Sequence, residues 1–303
     1  MANTMSGQVE YIPAKTIVLR TKDTSWFGTQ YNMNIYRGCS HGCIYCDSRS
    51  DCYRNGRFDQ VRVKADALRI IRDDLERKTK VGVVGTGSMS DPYNPLEKEL
   101  LLTRNGLALL EAYGFGAAIA TKSDLITRDM DILTSISRTM PVICKLTVTT
   151  CDGELAARVE PRAPSPGRRL AALEELSKVG LFAGVLMMPV LPFLEDTPDN
   201  IRTVVERSAD AGARFIYPAI GMTCRAGQRE YYYQQLEARF PGQGLAERYR
   251  KRYGTRYYCA SPRARALWDV FREACDRRGV LYSMGQIIAA SRRSCGTDQL
   301  SLF

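Results

Sequence analysis

The chain has 303 residues and a net charge of +10, with 43 lysines and arginines against 33 acidic residues. Its hydrophobic content of 45% is ordinary for a globular protein and allows a sizeable core. The sequence has neither a membrane-spanning apolar run nor a secretory signal, which predicts a soluble cytoplasmic protein with no membrane partner and argues against a disulfide framework for its ten cysteines.

The first part of the chain leads into a cysteine-rich loop. Residues 1–30 are an irregular leader with one short predicted strand at Ile17–Leu19. Alternation of apolar and polar residues predicts a strand at Tyr31–Arg37, directly before the loop. Cysteines just past the carboxyl end of a strand lie where parallel sheets and barrels place their active sites.

The loop carries three closely spaced cysteines, Cys39, Cys43 and Cys46. Gly38 and Gly42 permit the backbone to curl so that the three side chains converge. Thiolates in short-spaced runs hold iron–sulfur clusters, usually in sets of four. Three thiolates therefore predict a metal site with one open position, where chemistry takes place.

A structural zinc site is the alternative, with Cys52 or the single histidine, His41, as fourth ligand. Such zinc sites commonly combine two short cysteine spacings at a distance. No second short spacing occurs here, so we favour an iron–sulfur cluster. The later cysteines that lack a short spacing are Cys224, Cys259, Cys275 and Cys295.

The remaining sequence alternates between strands and helices. Further strands are predicted at Val81–Val84, Ala117–Thr121, Val142–Thr150, Leu181–Pro189 and Phe215–Ile220. Helices are predicted at Ala65–Lys78, Thr103–Tyr113, Asp129–Ile136, Gly167–Val179 and Thr197–Ala211. Such alternation requires right-handed crossovers and a parallel sheet. Six units fit an α/β fold with a partial (β/α)6 barrel of the TIM type.

Polar residues follow several of these strands. Ser90 and Asp91 offer a hydrogen-bond donor and acceptor suited to an ammonium group or a ribose. Lys122 could meet a carboxylate, and Thr149 ends the fourth strand. A tight turn, a surface lysine and the β-propensity of threonine would explain the same residues without a ligand.

Several motifs together resemble the spore photoproduct lyase-like branch of the radical S-adenosylmethionine (SAM) superfamily. The resemblance covers residues 31–221 and implies the radical SAM partial barrel. The motifs are Tyr36-Arg37-Gly38-Cys39-Ser40-His41-Gly42-Cys43-Ile44-Tyr45-Cys46, Ser90-Asp91-Pro92-Tyr93-Asn94-Pro95-Leu96-Glu97, Thr121-Lys122-Ser123, Thr149-Thr150 and Glu160-Pro161-Arg162-Ala163-Pro164-Ser165-Pro166.

The resemblance implies cofactors and their contacts. Cys39, Cys43 and Cys46 would bind a [4Fe–4S] cluster whose open iron is chelated by SAM. An external electron donor would reduce the cluster, which cleaves SAM to a 5′-deoxyadenosyl radical. The residues expected to contact SAM are Ser90, Asp91, Lys122 and Thr149. The resemblance leaves catalytic residues unassigned.

One position departs from the pattern of spore photoproduct lyase. There, a cysteine that donates a hydrogen atom stands three positions before the aspartate of the second-strand turn. Here that position is Ser88. A serine O–H bond is too strong to give its hydrogen readily to a carbon radical, so we expect a relative of the lyase rather than the lyase itself. The expected enzyme is of lyase or transferase type, with an unknown substrate.

The segment 222–297 is expected to be a basic, mainly helical extension. Between Arg225 and Arg293 there are fourteen arginines and Lys251 against six acids, which accounts for most of the net charge. Arginines neutralise phosphates and the interleaved tyrosines can stack on bases, so nucleic acid is the expected partner. The alternatives are a solvated basic face without a partner and a tyrosine-rich helix that covers the open side of the barrel.

Residues 298–303 form a separate predicted tail. Its sequence Gln299-Leu300-Ser301-Leu302-Phe303 resembles the clamp-binding pentapeptide of bacterial repair and replication proteins. The tail is therefore expected either to dock on a sliding clamp or to fold back onto its own domain.

The sequence thus predicts a radical SAM enzyme that acts on nucleic acid, with a role like DNA repair. Two alternatives stay open. One is radical SAM modification of a peptide or small molecule, and the other is a zinc-stabilised nucleic-acid adaptor without catalysis.

Overall fold

The computed structural model describes residues 9–294. The predicted clamp-docking tail and Cys295 lie outside the described residues. In the described part, the strands are β1 (Tyr11–Ile12), β2 (Val18–Arg20), β3 (Tyr31–Met33), β4 (Tyr36–Arg37), β5 (Arg62–Lys64), β6 (Val83–Thr86), β7 (Gly116–Thr121), β8 (Val142–Thr147), β9 (Ala183–Met187), β10 (Phe215–Pro218), β11 (Gly221–Thr223) and β12 (Tyr258–Ala260).

The helices of the described residues lie mostly between these strands. They are α1 (Ala67–Glu76), α2 (Glu97–Leu100), α3 (Leu102–Ala112), α4 (Met130–Ser137), α5 (Gly153–Val159), α6 (Pro166–Lys178), α7 (Pro198–Asp210), α8 (Gln228–Arg239), α9 (Leu245–Tyr253), α10 (Ala264–Arg278) and α11 (Met284–Arg293). Local signals match this assignment: the Thr197 hydroxyl accepts a hydrogen bond from the Asn200 amide at the start of α7.

Six parallel strands form the centre of one sheet, in the order β3–β6–β7–β8–β9–β10, and β2 adds an antiparallel edge beside β3. The sheet is open, with β2 and β10 as its edges in the described residues. The predicted α/β fold with a partial (β/α)6 barrel is therefore confirmed. Because the strands are parallel, their carboxyl ends meet at one edge, where the loops can build a site.

The predicted first strand is split into two. β3 ends at Met33, and β4 pairs instead with β5 in a separate three-stranded sheet. The Tyr36 hydroxyl donates a hydrogen bond to the buried carboxylate of Glu97. The chain thus leaves the main sheet before it reaches the cysteine loop, which the alternation of residues alone does not show.

The C-terminal extension packs in three places rather than forming a separate body. α10 packs against α7 on the outer helical layer. From α11, Ile287 packs against Phe27 and Phe215 on the inner face of the sheet. Helices α8 and α9 pack around the cysteine loop. No helix within residues 9–294 is both long and apolar enough to span a bilayer.

Candidate active site

A cavity of about 500 Å³ opens at the carboxyl ends of the parallel strands. Its wall includes six of the seven predicted site residues: Cys39, Cys43, Cys46, Ser90, Asp91 and Lys122. The seventh, Thr149, is absent from the wall of this cavity, whereas Thr147 on the same strand belongs to it. The structure thus gathers residues that are far apart in the sequence at one edge of the sheet.

The cysteine loop owes its curl to Gly38, whose φ is +85°. A Cβ atom at Gly38 would lie 2.5 Å from the Gln60 carbonyl oxygen, so the position has no room for a side chain. The next residue, Cys39, donates its amide hydrogen to the Phe58 carbonyl at 2.8 Å. Glycine therefore lets the loop lie tightly against the segment before β5.

The segment that follows α5 holds the loop from the other side. The Ile44 amide donates to the Val159 carbonyl at 3.0 Å. The Arg162 amide donates to the His41 carbonyl at 3.0 Å, and Arg162 Nε donates to the Ser40 carbonyl at 2.5 Å. The Glu160-Pro161-Arg162 motif of the sequence therefore positions the cysteine loop.

A buried charge network lies next to the loop. The Tyr45 hydroxyl donates to Glu160 Oε1, and Glu160 Oε2 lies 2.5 Å from Arg169 Nη2. Lys122 Nζ lies 3.8 Å from Glu160 Oε1. Burial raises the pKa of carboxylates, but the Arg169 and Lys122 cations outweigh it and hold the pKa of Glu160 below its usual value. Glu160 is therefore an anion that joins the loop to β7 and α6.

Asp91 connects three elements at the cavity wall. Its carboxylate accepts hydrogen bonds from Thr121 Oγ1 at 2.7 Å, the Lys122 amide at 2.8 Å and the Tyr93 amide at 2.9 Å. His41 Nδ1 of the cysteine loop lies 3.4 Å from the same carboxylate. Asp91 thus fixes the turn after β6 to the end of β7 and to the loop, a role that the sequence did not indicate.

The hydroxyl groups of Ser90 and Thr149 have partners within the protein. Ser90 Oγ donates to the Tyr36 carbonyl at 2.9 Å. Thr149 Oγ1 donates to Glu195 Oε1 at 2.8 Å, in a fully buried position. Contacts of either side chain with SAM stay predictions from the sequence.

The three loop thiols are the predicted ligands of either a cluster or a single metal ion. Within residues 9–294, no group of three or more His, Cys, Asp or Glu side chains is arranged to hold one ion. A zinc ion would draw all its thiolates to about 2.3 Å from one centre, whereas a cluster binds each thiolate through a different iron. The predicted zinc ligand Cys52 is exposed and its sulfur accepts from Arg225.

Burial raises the pKa of all three loop thiols. The pKa is about 12 for Cys39 and Cys43 and about 11 for Cys46. Thiolates are the form that binds metal, so loading of this site would release protons. The three thiols could together hold a cluster with one iron open toward the cavity.

Comparison with known proteins decides the family. The model of the Radical SAM superfamily matches residues 33–206, which is over half of the chain. This chain belongs to the radical SAM superfamily. An uncharacterised protein of Mycobacterium tuberculosis is 32% identical over 231 residues, which cover 74% of this chain and 67% of the relative. An uncharacterised protein of Methanocaldococcus jannaschii is 34% identical over 171 residues, 56% of this chain and 63% of the relative.

Solved radical SAM structures share the fold at low sequence identity. A variant of spore photoproduct lyase superposes with a TM-score of 0.65 and 16% identity, covering 91% of this chain and 82% of the lyase. The methyltransferase TsrM from Kitasatospora setae superposes with a TM-score of 0.54 and 11% identity, covering 80% of this chain and 51% of TsrM. The fold is thus that of the spore photoproduct lyase-like branch.

The cofactors of this radical SAM protein are a [4Fe–4S] cluster and SAM, as the sequence predicts. Among the structural neighbours, one spore photoproduct lyase structure contains bound SAM and one TsrM structure contains a [4Fe–4S] cluster. Radical SAM chemistry makes the chain an enzyme. Ser88 belongs to the cavity wall, at the position where the resemblance expects a cysteine in the lyase, so this chain is a relative and not the lyase itself.

The sequence analysis missed Trp26 and Lys145 of the cavity wall, and it considered Tyr258 only among the interleaved tyrosines of the basic extension. Lys145 had a usable signal, because a lysine inside an otherwise apolar buried strand is unusual. Trp26 lies in a segment without periodicity or a recognisable motif, and only the fold brings Trp26 and Tyr258 to the cavity.

Proposed function

We propose that this radical SAM enzyme acts on nucleic acid, in a reaction of lyase or transferase type related to DNA repair. Cys39, Cys43 and Cys46 would bind the cluster, and Ser90, Asp91, Lys122 and Thr149 remain the proposed SAM contacts. The bound cofactors supply a carbon-centred radical that abstracts hydrogen. The residues of the chain position the target carbon in the cavity and exclude water from it.

The observation that carries this proposal is a set of exposed cations close in sequence to an aromatic residue of the cavity wall. Lys251, Arg252 and Arg256 are exposed, and none has an acidic partner in the part of the chain that the structure describes. Tyr257 and Tyr258 follow directly, with 56% and 44% of their surface exposed, and Tyr258 belongs to the cavity wall. The cations could bind the phosphate backbone of a nucleic acid, and the exposed tyrosine rings could stack on one of its bases at the cavity.

Other tyrosines of the extension have a different role. Tyr232, Tyr233, Tyr249 and Tyr253 are buried in one apolar cluster with Cys43 of the loop. They are therefore unavailable for stacking on bases, which corrects the broader expectation that all the interleaved tyrosines could do so. Helices α8 and α9 instead pack around the cysteine loop.

A second aromatic ring supports the same proposal. Trp26 belongs to the cavity wall and keeps 39% of its surface exposed. Its ring packs edge-on against Tyr217, with centroids 5.3 Å apart. Exposed rings at a cavity wall can hold an unpaired base by stacking, which contributes about 1–3 kcal/mol per base.

Binding of nucleic acid tests the proposal directly. Anaerobically reconstituted protein should bind DNA or RNA with an affinity that falls steeply as salt concentration rises. The double variant Lys251→Gln/Arg252→Gln should reduce the logarithmic salt slope by about 1–2. The double variant Arg265→Gln/Arg277→Gln, which removes the same charge from α10, is the control and should bind like the wild type.

Chemistry is tested separately from binding. The reduced protein should convert SAM to 5′-deoxyadenosine, and deuterium placed on a nucleic-acid substrate should appear in that product. Salt-independent binding of nucleic acid, or an equal effect of the control variant, would overturn the proposed substrate class and leave SAM cleavage standing.

Modification of a peptide or small molecule is the second candidate. A cavity of about 500 Å³ is of the size that small ligands occupy. Deuterium transfer from a peptide or small molecule, with none from nucleic acid, would favour it. Membership of the radical SAM superfamily disfavours the non-catalytic zinc adaptor. Cytoplasmic location, the external electron donor and clamp docking through 299–303 stay predictions.

A further inference from the structure

Lys145 stands in the middle of β8, on the face of the sheet that lines the cavity. Its neighbours in register are Ala120 on β7 and Gly184 on β9. Neither neighbour has a polar side chain, and the apolar ring of Phe215 lies over Gly184. The ammonium group therefore has no partner on the strands next to it.

The surroundings of Lys145 also lack an anion. In the residues that the structure describes, Nζ makes no hydrogen bond and no ion pair, and its one ring contact is with Phe27, whose centroid lies 4.5 Å away. The residue is only 3% exposed. Burial lowers its pKa to about 7. A buried cation without an anionic partner destabilises the folded protein, and an anion that entered the cavity would remove this cost.

The other charged groups of the wall are already paired. Asp47 Oδ1 lies 3.2 Å from Arg225 Nε. Asp91 faces His41, and Lys122 faces Glu160. The remaining titratable groups of the wall are Tyr45, Tyr258 and the three loop thiols. Asp91 also accepts three hydrogen bonds, so within residues 9–294 Lys145 is the charged side chain of the wall that has neither an ion pair nor a hydrogen bond.

We propose that Lys145 binds an anionic group of the substrate, a phosphate or a carboxylate, inside the cavity. This inference rests on the proposed function in one respect, that the substrate enters the cavity. A phosphodiester is the expected group if the substrate is nucleic acid, and a carboxylate if it is a peptide or small molecule. Hydrogen bonds to charged groups are stronger than those between neutral groups, so one such contact can favour one substrate class over another.

Paired probes test the proposal in reconstituted protein saturated with SAM. One pair is a thymidine dinucleotide with a phosphodiester and its uncharged methylphosphonate analogue. The other is a dipeptide with a free carboxylate and its amide. The wild type should prefer the anionic member of one pair by about tenfold or more, and the pair that shows the preference identifies the source of the anion.

Three variants assign the preference to Lys145. Lys145→Met should lose it, and Lys145→Arg should keep it because arginine retains the charge. Lys64→Met is the matched control: Lys64 is a partly buried strand lysine outside the cavity wall, and its replacement should change nothing. Without a probe, Lys145→Met should unfold at a higher temperature than the wild type, because the variant lacks the unpaired buried cation. The same thermal transition shows that the variant is folded.

The pH dependence gives an independent readout. Affinity of the wild type for the anionic probe should fall as the pH rises through about 7, where free Lys145 loses its proton. Lys145→Arg should keep its affinity over the same range, and the uncharged probe should respond weakly in both proteins. The other titratable groups of the wall are common to the two proteins, so a difference between them reports on position 145.

Several outcomes would overturn the inference. They are an anion preference that survives in Lys145→Met, no preference in the wild type for either anionic probe, and a Lys145→Met variant that loses affinity for SAM instead. A different result would overturn the proposed function. A Lys145-dependent preference for the carboxylate, with no binding of nucleic acid, would overturn nucleic acid as substrate while the role of Lys145 stands.

Discussion

Arg169 and Glu160 form an ion pair of 2.5 Å beside the cysteine loop, and both side chains are almost completely buried. Arg169 also donates to the carbonyl groups of Thr147 and Pro164. Glu160 accepts from Tyr45, the residue before the third loop cysteine. One ion pair therefore links the end of β8, the start of α6 and the loop that would carry the cluster.

Replacing Arg169 with Met should destabilise the protein strongly. The change leaves the Glu160 carboxylate buried with only the more distant Lys122 as a counter-charge, and removing one partner of a buried pair costs about 3–5 kcal/mol. The free energy of unfolding in urea, measured anaerobically, checks this. The adjacent Arg168→Met is the control, because Arg168 pairs with Asp124 at the surface and its loss should cost less than about 1 kcal/mol. Equal losses in the two variants would contradict the structural role of the buried pair.

Replacing Thr149 with Val should destabilise the protein by leaving Glu195 Oε1 without its donor. The expected cost is about 1–3 kcal/mol in the free energy of unfolding. Thr147→Val makes the same change two residues earlier, at the cavity wall and away from Glu195, and should cost less. Unchanged stability in Thr149→Val would contradict this prediction. Its affinity for SAM, measured alongside, tests the contact predicted from sequence: a tenfold loss indicates a direct contact.

Glu195 should make stability fall as pH rises. Burial raises its pKa to about 8 in the folded protein, from 4.5 in an unfolded chain. The folded state therefore binds more protons between these values. The stabilisation linked to this proton is complete below 4.5, declines through the neutral range and is lost above about 8.

Glu195→Gln should remove this decline. In the wild type, Glu195 should make the free energy of unfolding fall by at most about 1.4 kcal/mol per pH unit. The variant should lack this contribution. Unfolding in urea at several pH values measures the slope. Glu154→Gln, at an exposed position, is the control and should keep the wild-type profile. Equal slopes in the wild type and in Glu195→Gln would show that Glu195 is ionised in the folded protein.

Much of the fold could be predicted because its signals are local. The six parallel strands are short apolar runs bounded by glycine, proline or polar residues, and the helices have apolar spacing and capping residues such as Thr197. The second half of the Tyr31–Arg37 segment could not be placed. Its pairing with β5 depends on residues some 25 positions later, and no local pattern encodes that contact.

The residues of the candidate site also fall into those that the sequence could predict and those that it could not. Ser90, Asp91 and Lys122 come after neighbouring parallel strands, so parallel topology predicts that they converge. The loop cysteines follow β4 in the separate sheet, and their position depends on contacts with later segments. Lys145 reaches the cavity from the inward face of β8, and Tyr258 from β12, which pairs antiparallel with β11. Thr149 illustrates the limit of sequence reasoning, because the partner of its hydroxyl, Glu195, comes from the loop after β9.

Replacing Gly87 with Ala should destabilise the turn that carries Ser90 and Asp91. Gly87 has a φ of +94°, and a Cβ there would lie 1.9 Å from the Ala120 carbonyl oxygen of β7, so backbone must move. We expect a loss of about 3 kcal/mol or more in the free energy of unfolding, together with weaker SAM binding. Gly114→Ala is the matched control: its φ is +72°, but a Cβ there meets no atom within 4 Å, so only the cost of the left-handed backbone, about 1–2 kcal/mol, should appear. If both variants lose the same stability and bind SAM equally well, the close approach of the turn to β7 does not shape the cavity.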